Sequence, residues 1–147
     1  MKRLLHLTIA IMIVYGVFAI NGQAQTNVSP TMRADVPFTF TVGDKTLPAG
    51  VYTVSILNPN SDRKTLQIRN ENGRVSAIVQ TFGANSSLAA RNPKLVFRRY
   101  GDRYFFAQAQ MAGDDTSLAA NKTRAERATQ RALKHGDSST VVAIVAH

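Results

Sequence analysis

Residues 35–57, DVPFTFTVGDKTLPAGVYTVSIL, alternate apolar and polar side chains with a period of two. Val36, Phe38, Phe40 and Val42 fall on one side of an extended chain, and Pro37, Thr39 and Thr41 on the other. Successive side chains of a strand point to opposite faces, so this period commits the backbone to β structure. Gly43-Asp44 interrupts the run. Leu47-Pro48-Ala49-Gly50 matches a type I turn, with proline presetting φ at the second position and glycine at the fourth. Tyr52, Val54 and Ile56 resume the alternation. A strand, two close turns and a second strand are therefore written in 23 residues. Pro37 cannot donate to a ladder, so the first strand should lie at an edge there or begin there.

The same grammar continues downstream. Asn58-Pro59-Asn60-Ser61-Asp62 is a dense turn signal. Residues 65–69 predict a short strand with Leu66 and Ile68 on one face. Asn70-Glu71-Asn72-Gly73 predicts a hairpin turn, Asn72-Gly73 being suited to positive φ. Residues 74–82 predict the next strand, with Val75, Ala77 and Val79 on one face and Ile78 and Phe82 on the other. Residues 83–93 read as a polar loop. Residues 94–100, Gly101-Asp102 and residues 103–112 predict a two-residue hairpin in which Tyr100 faces Arg103, Arg99 faces Tyr104 and Phe97 faces Phe106. Leu95, Phe97 and Phe106 then share one face, and Val96, Phe105, Ala107, Ala109 and Met111 the other. Apolar groups on both faces imply a closed interior on one side and a cover on the other.

Residues 113–117 read as a break. Thr123-Arg124-Ala125-Glu126 has the spacing of a capping box, and Gly136 suits a helix stop, so a helix is predicted over about 124–135. Ala125, Ala128, Ala132 and Leu133 form a narrow apolar stripe on it, and Arg124, Arg127, Arg131 and Lys134 a basic stripe beside it. A helix below ~12–15 residues is marginal alone in water and should dock. TVVAIVA at 140–146 is apolar on both faces and reads as a buried final strand. The expected fold is mainly β: a small antiparallel barrel or a two-sheet sandwich of seven to eight strands with one C-terminal helix.

Residues 1–24 have the layout of a secretory signal peptide. Lys2 and Arg3 precede an apolar core over residues 4–20, and Gly22-Gln23-Ala24 places small residues at the cleavage positions. The predicted organisation is a signal peptide at 1–24, a flexible leader at 25–33 and a single β-rich domain at 34–147. Removing 24 of 147 residues leaves 123, enough for one domain with a modest core. No later apolar run reaches membrane length. The chain has no cysteine, so disulfides, thiol chemistry and cysteine-based zinc sites are excluded. Its formal net charge of +9 falls to +7 without Lys2 and Arg3. An exported basic protein meets anionic polymers of the envelope, although such charge also serves solubility alone.

The pattern PFxFxVGxKxLPAGxYxV at 37–54 resembles a family of small exported β-rich proteins of soil bacteria that have no assigned activity. LVFxRYGDRYFF at 95–106 and the Glu/Arg-rich helix before the C-terminus carry the same resemblance. It implies export and an all-β domain with a late helix, and it transfers no functional residue.

Chemistry is sparse. His135 and His147 alone follow the predicted cleavage point, one at a helix end and one at the last residue. Serine lacks a G-x-S-x-G setting. The aspartates sit in turn contexts that Asx hydrogen bonding explains. Asp114-Asp115 lacks the ligand spacing of a calcium loop. No catalytic, metal or cofactor set is predicted. The remaining candidate is a basic-aromatic surface: Arg91, Lys94, Arg98, Arg99 and Arg103 interleave with Phe97, Tyr100, Tyr104 and Phe105, and Arg124, Arg127, Arg131 and Lys134 add a helical stripe. Cations for anions and rings for stacking suit a polyanion partner. The structural alternative lays the arginine stems over core rings. The expectation is an exported, periplasmic or extracellular, non-enzymatic β-domain contacting an anionic polymer. The alternatives are a small enzyme acting on wall material or polysaccharide, or a carrier of a small apolar ligand inside a barrel.

Overall fold

The computed structural model describes residues 29–74, 76–85, 91–133 and 140–147. The expected signal peptide, Val75, Lys134, His135 and Gly136 lie outside these residues. The described chain forms ten strands and one helix: β1 (Thr31–Val36), β2 (Phe40–Val42), β3 (Lys45–Leu47), β4 (Gly50–Ile56), β5 (Thr65–Asn70), β6 (Ser76–Asn85), β7 (Lys94–Tyr100), β8 (Arg103–Gln110), β9 (Thr116–Ala120), α1 (Arg124–Ala132) and β10 (Thr140–Val145). The strands make one mixed sheet in the order β1-β4-β5-β6-β9-β8-β2-β3, and β8 also carries β7 and then β10. All pairings are antiparallel except β2 with β8.

The sheet is mainly β with a late helix, as expected, but it does not close into a barrel. β1 and the end of the chain after β10 meet at one residue pair. Arg33 and His147 exchange reciprocal backbone hydrogen bonds of 2.8 and 2.9 Å, and no ladder extends from them. A strand that changes partners joins the two halves of the sheet. β6 pairs with β5 over residues 76–80 and with β9 over residues 81–85, so it passes from one half to the other. At that crossing Thr81 is buried, and both its N–H (2.8 Å) and its hydroxyl (2.7 Å) donate to the Lys64 carbonyl.

The opening stretch folds into more pieces than its period suggests. β1 starts at Thr31, inside the expected flexible leader, and alternates exposed and buried residues from its first position. It ends at Val36, before Pro37, because the proline has no N–H for the ladder. The side-chain parity nevertheless survives the break: Val36, Phe40 and Val42 all enter the core, and Phe38 packs against it half-buried. β2 and β3 make a small hairpin around Gly43, whose φ is +58°. β4 then pairs directly with β1. Tyr52 is fully buried and ties down the second turn by donating its hydroxyl to the Pro48 carbonyl at 2.6 Å.

The hairpin of β7 and β8 has the predicted pairs Tyr100–Arg103, Arg99–Tyr104 and Phe97–Phe106. Beyond Phe97 the register shifts, so that Val96 pairs with Gln108 and Leu95 with Ala109. Ala107 is the extra residue of this bulge. One added residue reverses the faces of everything after it. Ala109 and Met111, expected on the outer face, therefore join Leu95, Phe97 and Phe106 in the core.

Three other expectations are corrected. β6 runs to Asn85, past the expected loop start at Gly83. β9 begins at Thr116, within the expected break. β10 is not buried on both faces: Val142 and Ile144 are half-buried, whereas Val141 and Val145 are 66% and 67% exposed. Its Val142–Ile144 face turns toward the core, and its Val141–Ala143–Val145 face meets water.

Candidate functional site

The basic-aromatic residues do gather, but largely into an internal lock. α1 lies over the outer face of the β7–β8 hairpin. Thr123 caps its start, accepting the Glu126 N–H at 3.1 Å. Of the apolar stripe expected to dock it, Ala125, Ala128 and Ala132 are exposed, and Leu133, just past the last helical residue, is half-buried. Glu126 is the buried residue of the helix, 1% exposed. Its carboxylate accepts from Arg98 through both Nε and Nη2, the latter at 3.1 Å, and from the Tyr100 hydroxyl at 3.0 Å. One turn further on, the Thr129 hydroxyl accepts from Arg103 Nη1 at 2.8 Å. Glu126 and Thr129 are three residues apart, hence neighbours on one helix face. Arg98 and Arg103 stand on the strands that this face covers.

The other cations of the cluster divide. Arg103 also lies over the Phe105 ring, at 5.5 Å from its centroid. Arg99 lies over Tyr104 at 5.5 Å, donates to the Gly101 carbonyl at 2.7 Å and reaches Asp102 at 3.8 Å. Lys122 lies 5.9 Å over the Tyr100 ring and donates to Gln130 at 3.0 Å. Lys94 is half-buried, while Arg91, Arg124, Arg127 and Arg131 are exposed. Arg127 donates to the Lys122 carbonyl at 2.8 Å. So Arg98 is committed to the fold, Arg99, Arg103 and Arg127 are exposed but hydrogen-bonded, and Arg91, Arg124 and Arg131 face outward without a partner among the described residues.

Glu126 escaped the sequence reading because its position three residues after Thr123 assigned it to the cap. The signal that could have found it is the absence of any other acid on a helix flanked by arginines. Phe82 was placed on the outer face of β6, and it stays there, 44% exposed. Among the described residues, no three or more His, Asp or Glu side chains gather as metal ligands. No helix of the described residues is long and apolar enough to cross a membrane. Comparison with family profiles, with curated proteins and with solved structures finds no match to this chain.

Proposed function

We propose that this chain is an exported, non-enzymatic binding domain of the cell envelope that contacts an anionic polymer through the cations its fold leaves exposed. The leader pattern at 1–24 and the net charge support the compartment and the partner class. The observation that carries the reading is the exposed row Arg124, Arg127 and Arg131 on a helix held rigidly to the sheet. Positive charge fixed on a rigid element can track an anionic backbone without a further ordering cost.

Binding to heparin, DNA and anionic vesicles should be titrated from about 50 to 200 mM salt, since each neutralised anion releases counterions. Replacing Arg124, Arg127 and Arg131 together by Gln should flatten the salt dependence. The same change at Arg98 should lower stability instead, because its guanidinium is committed to Glu126. Absence of binding to all three polymers at the lowest salt would overturn the proposal. N-terminal sequencing of the exported protein, expected to begin at or near Gln25, checks the route.

A further inference from the structure

Ile78, Gln80 and Phe82 alternate along the outer face of β6. Phe82 is an anomaly there. Every other aromatic ring among the described residues is buried or half-buried, and this one stands in water. With Ile78, 60% exposed two positions earlier on the same face, it gives β6 a small apolar surface that a bound ligand would cover.

Its surroundings say what kind of contact. Phe82 borders a cleft of about 250 Å³ whose remaining walls are Arg63, Gln80, Thr81 and Asn121. The cleft exists because β6 changes partners here: Gln80 is the last residue paired with β5, and Thr81 the first paired with β9. The chain just before β5 and just after β9 therefore converges on the outer side of the crossing. Thr81 is spent on the fold through its bond to Lys64. Asn58 fixes the backbone of Arg63 by donating to its carbonyl at 2.8 Å. Within the described residues, the side chains of Arg63, Gln80 and Asn121 have no hydrogen-bond or ion-pair partner. A planar cation, two amides that both donate and accept, and one ring face are thus unengaged around one small space.

The geometry points to a subsite for one sugar ring of an acidic polysaccharide. Phe82 would stack on the apolar face of the ring. Gln80 and Asn121 would pair with ring hydroxyls, and Arg63 would hold the carboxylate in a two-pronged contact. A nucleic acid strand fits less well, because it calls for a row of cations along successive phosphates and several stacking rings. This cleft offers one of each. The inference rests on the anionic-polymer reading and names the unit recognised.

The test uses the full chain and isothermal titration with a hexameric oligogalacturonate, a neutral hexasaccharide and a single-stranded DNA hexamer. Phe82→Ala should weaken oligogalacturonate binding about tenfold or more, because it removes the stacking face. Arg63→Gln should remove the preference for the acidic sugar and leave the neutral one unchanged. Melting curves establish that both variants remain folded. Oligogalacturonate binding that neither substitution alters would overturn this site and leave the polyanion reading standing. No binding to any probe would overturn both. Binding of DNA alone, weakened by Phe82→Ala, would overturn the sugar assignment.

Discussion

Removing the Glu126 carboxylate should be among the most damaging changes available on α1. Glu126 is 1% exposed and its acceptor oxygens serve Arg98 and Tyr100. Truncating one member of a buried ion pair costs ~3–5 kcal/mol, because the partner is left charged and unpaired. Arg98 retains 20% exposure of its side chain, so water can partly recover it. Glu126→Ala is therefore placed at the lower end, about 3 kcal/mol. With a urea slope of roughly 1.5 kcal/mol per molar, the unfolding midpoint should fall by about 2 M. Glu126→Gln keeps acceptor and shape but loses the charge, and should cost about half as much, since hydrogen bonds to charged groups exceed neutral ones by roughly a factor of two. The most informative variant combines Arg98→Met with Glu126→Met. Replacing a whole buried pair by apolar side chains is often neutral, so the double variant, combined with Tyr100→Phe to remove the hydroxyl that would lose its acceptor, should lie within about 1 kcal/mol of the parent. Urea unfolding followed by circular dichroism reads all of these. A Glu126→Ala midpoint within about 0.3 M of the parent, on the same slope, would refute the claim that this lock holds the helix down.

Other expectations follow from single positions. Gly50 has φ +153°, and a Cβ there would stand 3.1 Å from the movable Asn70 amide, so Gly50→Ala should cost about 1 kcal/mol or more, chiefly through the backbone, as a lowered melting temperature. Burial pushes the Tyr52 hydroxyl above its ordinary pKa of 10.0, against a smaller opposing effect of the Asn70 hydrogen bond. The unfolded chain then loses this proton first, so stability should fall as pH rises above about 10, and Tyr52→Phe should make that fall shallower in melting curves taken between about pH 8 and 11. On β10, Val141→Lys or Val145→Lys should shift stability by no more than about 0.5 kcal/mol in urea unfolding. Ile144→Ala, which removes a half-buried side chain packed on the core, should cost about 2 kcal/mol in the same assay.

The parts legible in the sequence were those whose cause is local. Gly101-Asp102 fixes a two-residue loop, and the loop fixes the register of Tyr100–Arg103, Arg99–Tyr104 and Phe97–Phe106. Thr123 caps α1 through an oxygen that accepts the N–H three residues on. What failed depends on neighbours remote in sequence. TSLAA in β9 has few strand-forming residues, and its extended state comes from pairing with β6 on one side and β8 on the other. The bulge at Ala107 has no residue signature, yet it decides whether Ala109 faces core or cover. The apolar run of β10 suggested burial on both sides, whereas an edge position needs only one.

The division of the arginines has the same origin. Arg98 and Arg99 are consecutive, so a strand must send them to opposite faces. Arg98 shares its face with Tyr100 and, across the hairpin, with Arg103 and Phe105; Arg99 shares its face with Tyr104 and Phe97. Sequence alone treats all three arginines as one basic cluster. Once a helix carrying Glu126 and Thr129 covers the Arg98 face, Arg98 is committed to a buried carboxylate and Arg103 is tied to Thr129, while Arg99 lies over Tyr104 on the other face. Charge excess is thus a poor guide to which cations the fold leaves unpartnered. The better guide is which cations lack an internal partner, and among the described residues these include Arg124 and Arg131 on the outer face of α1 and Arg63 beside Phe82.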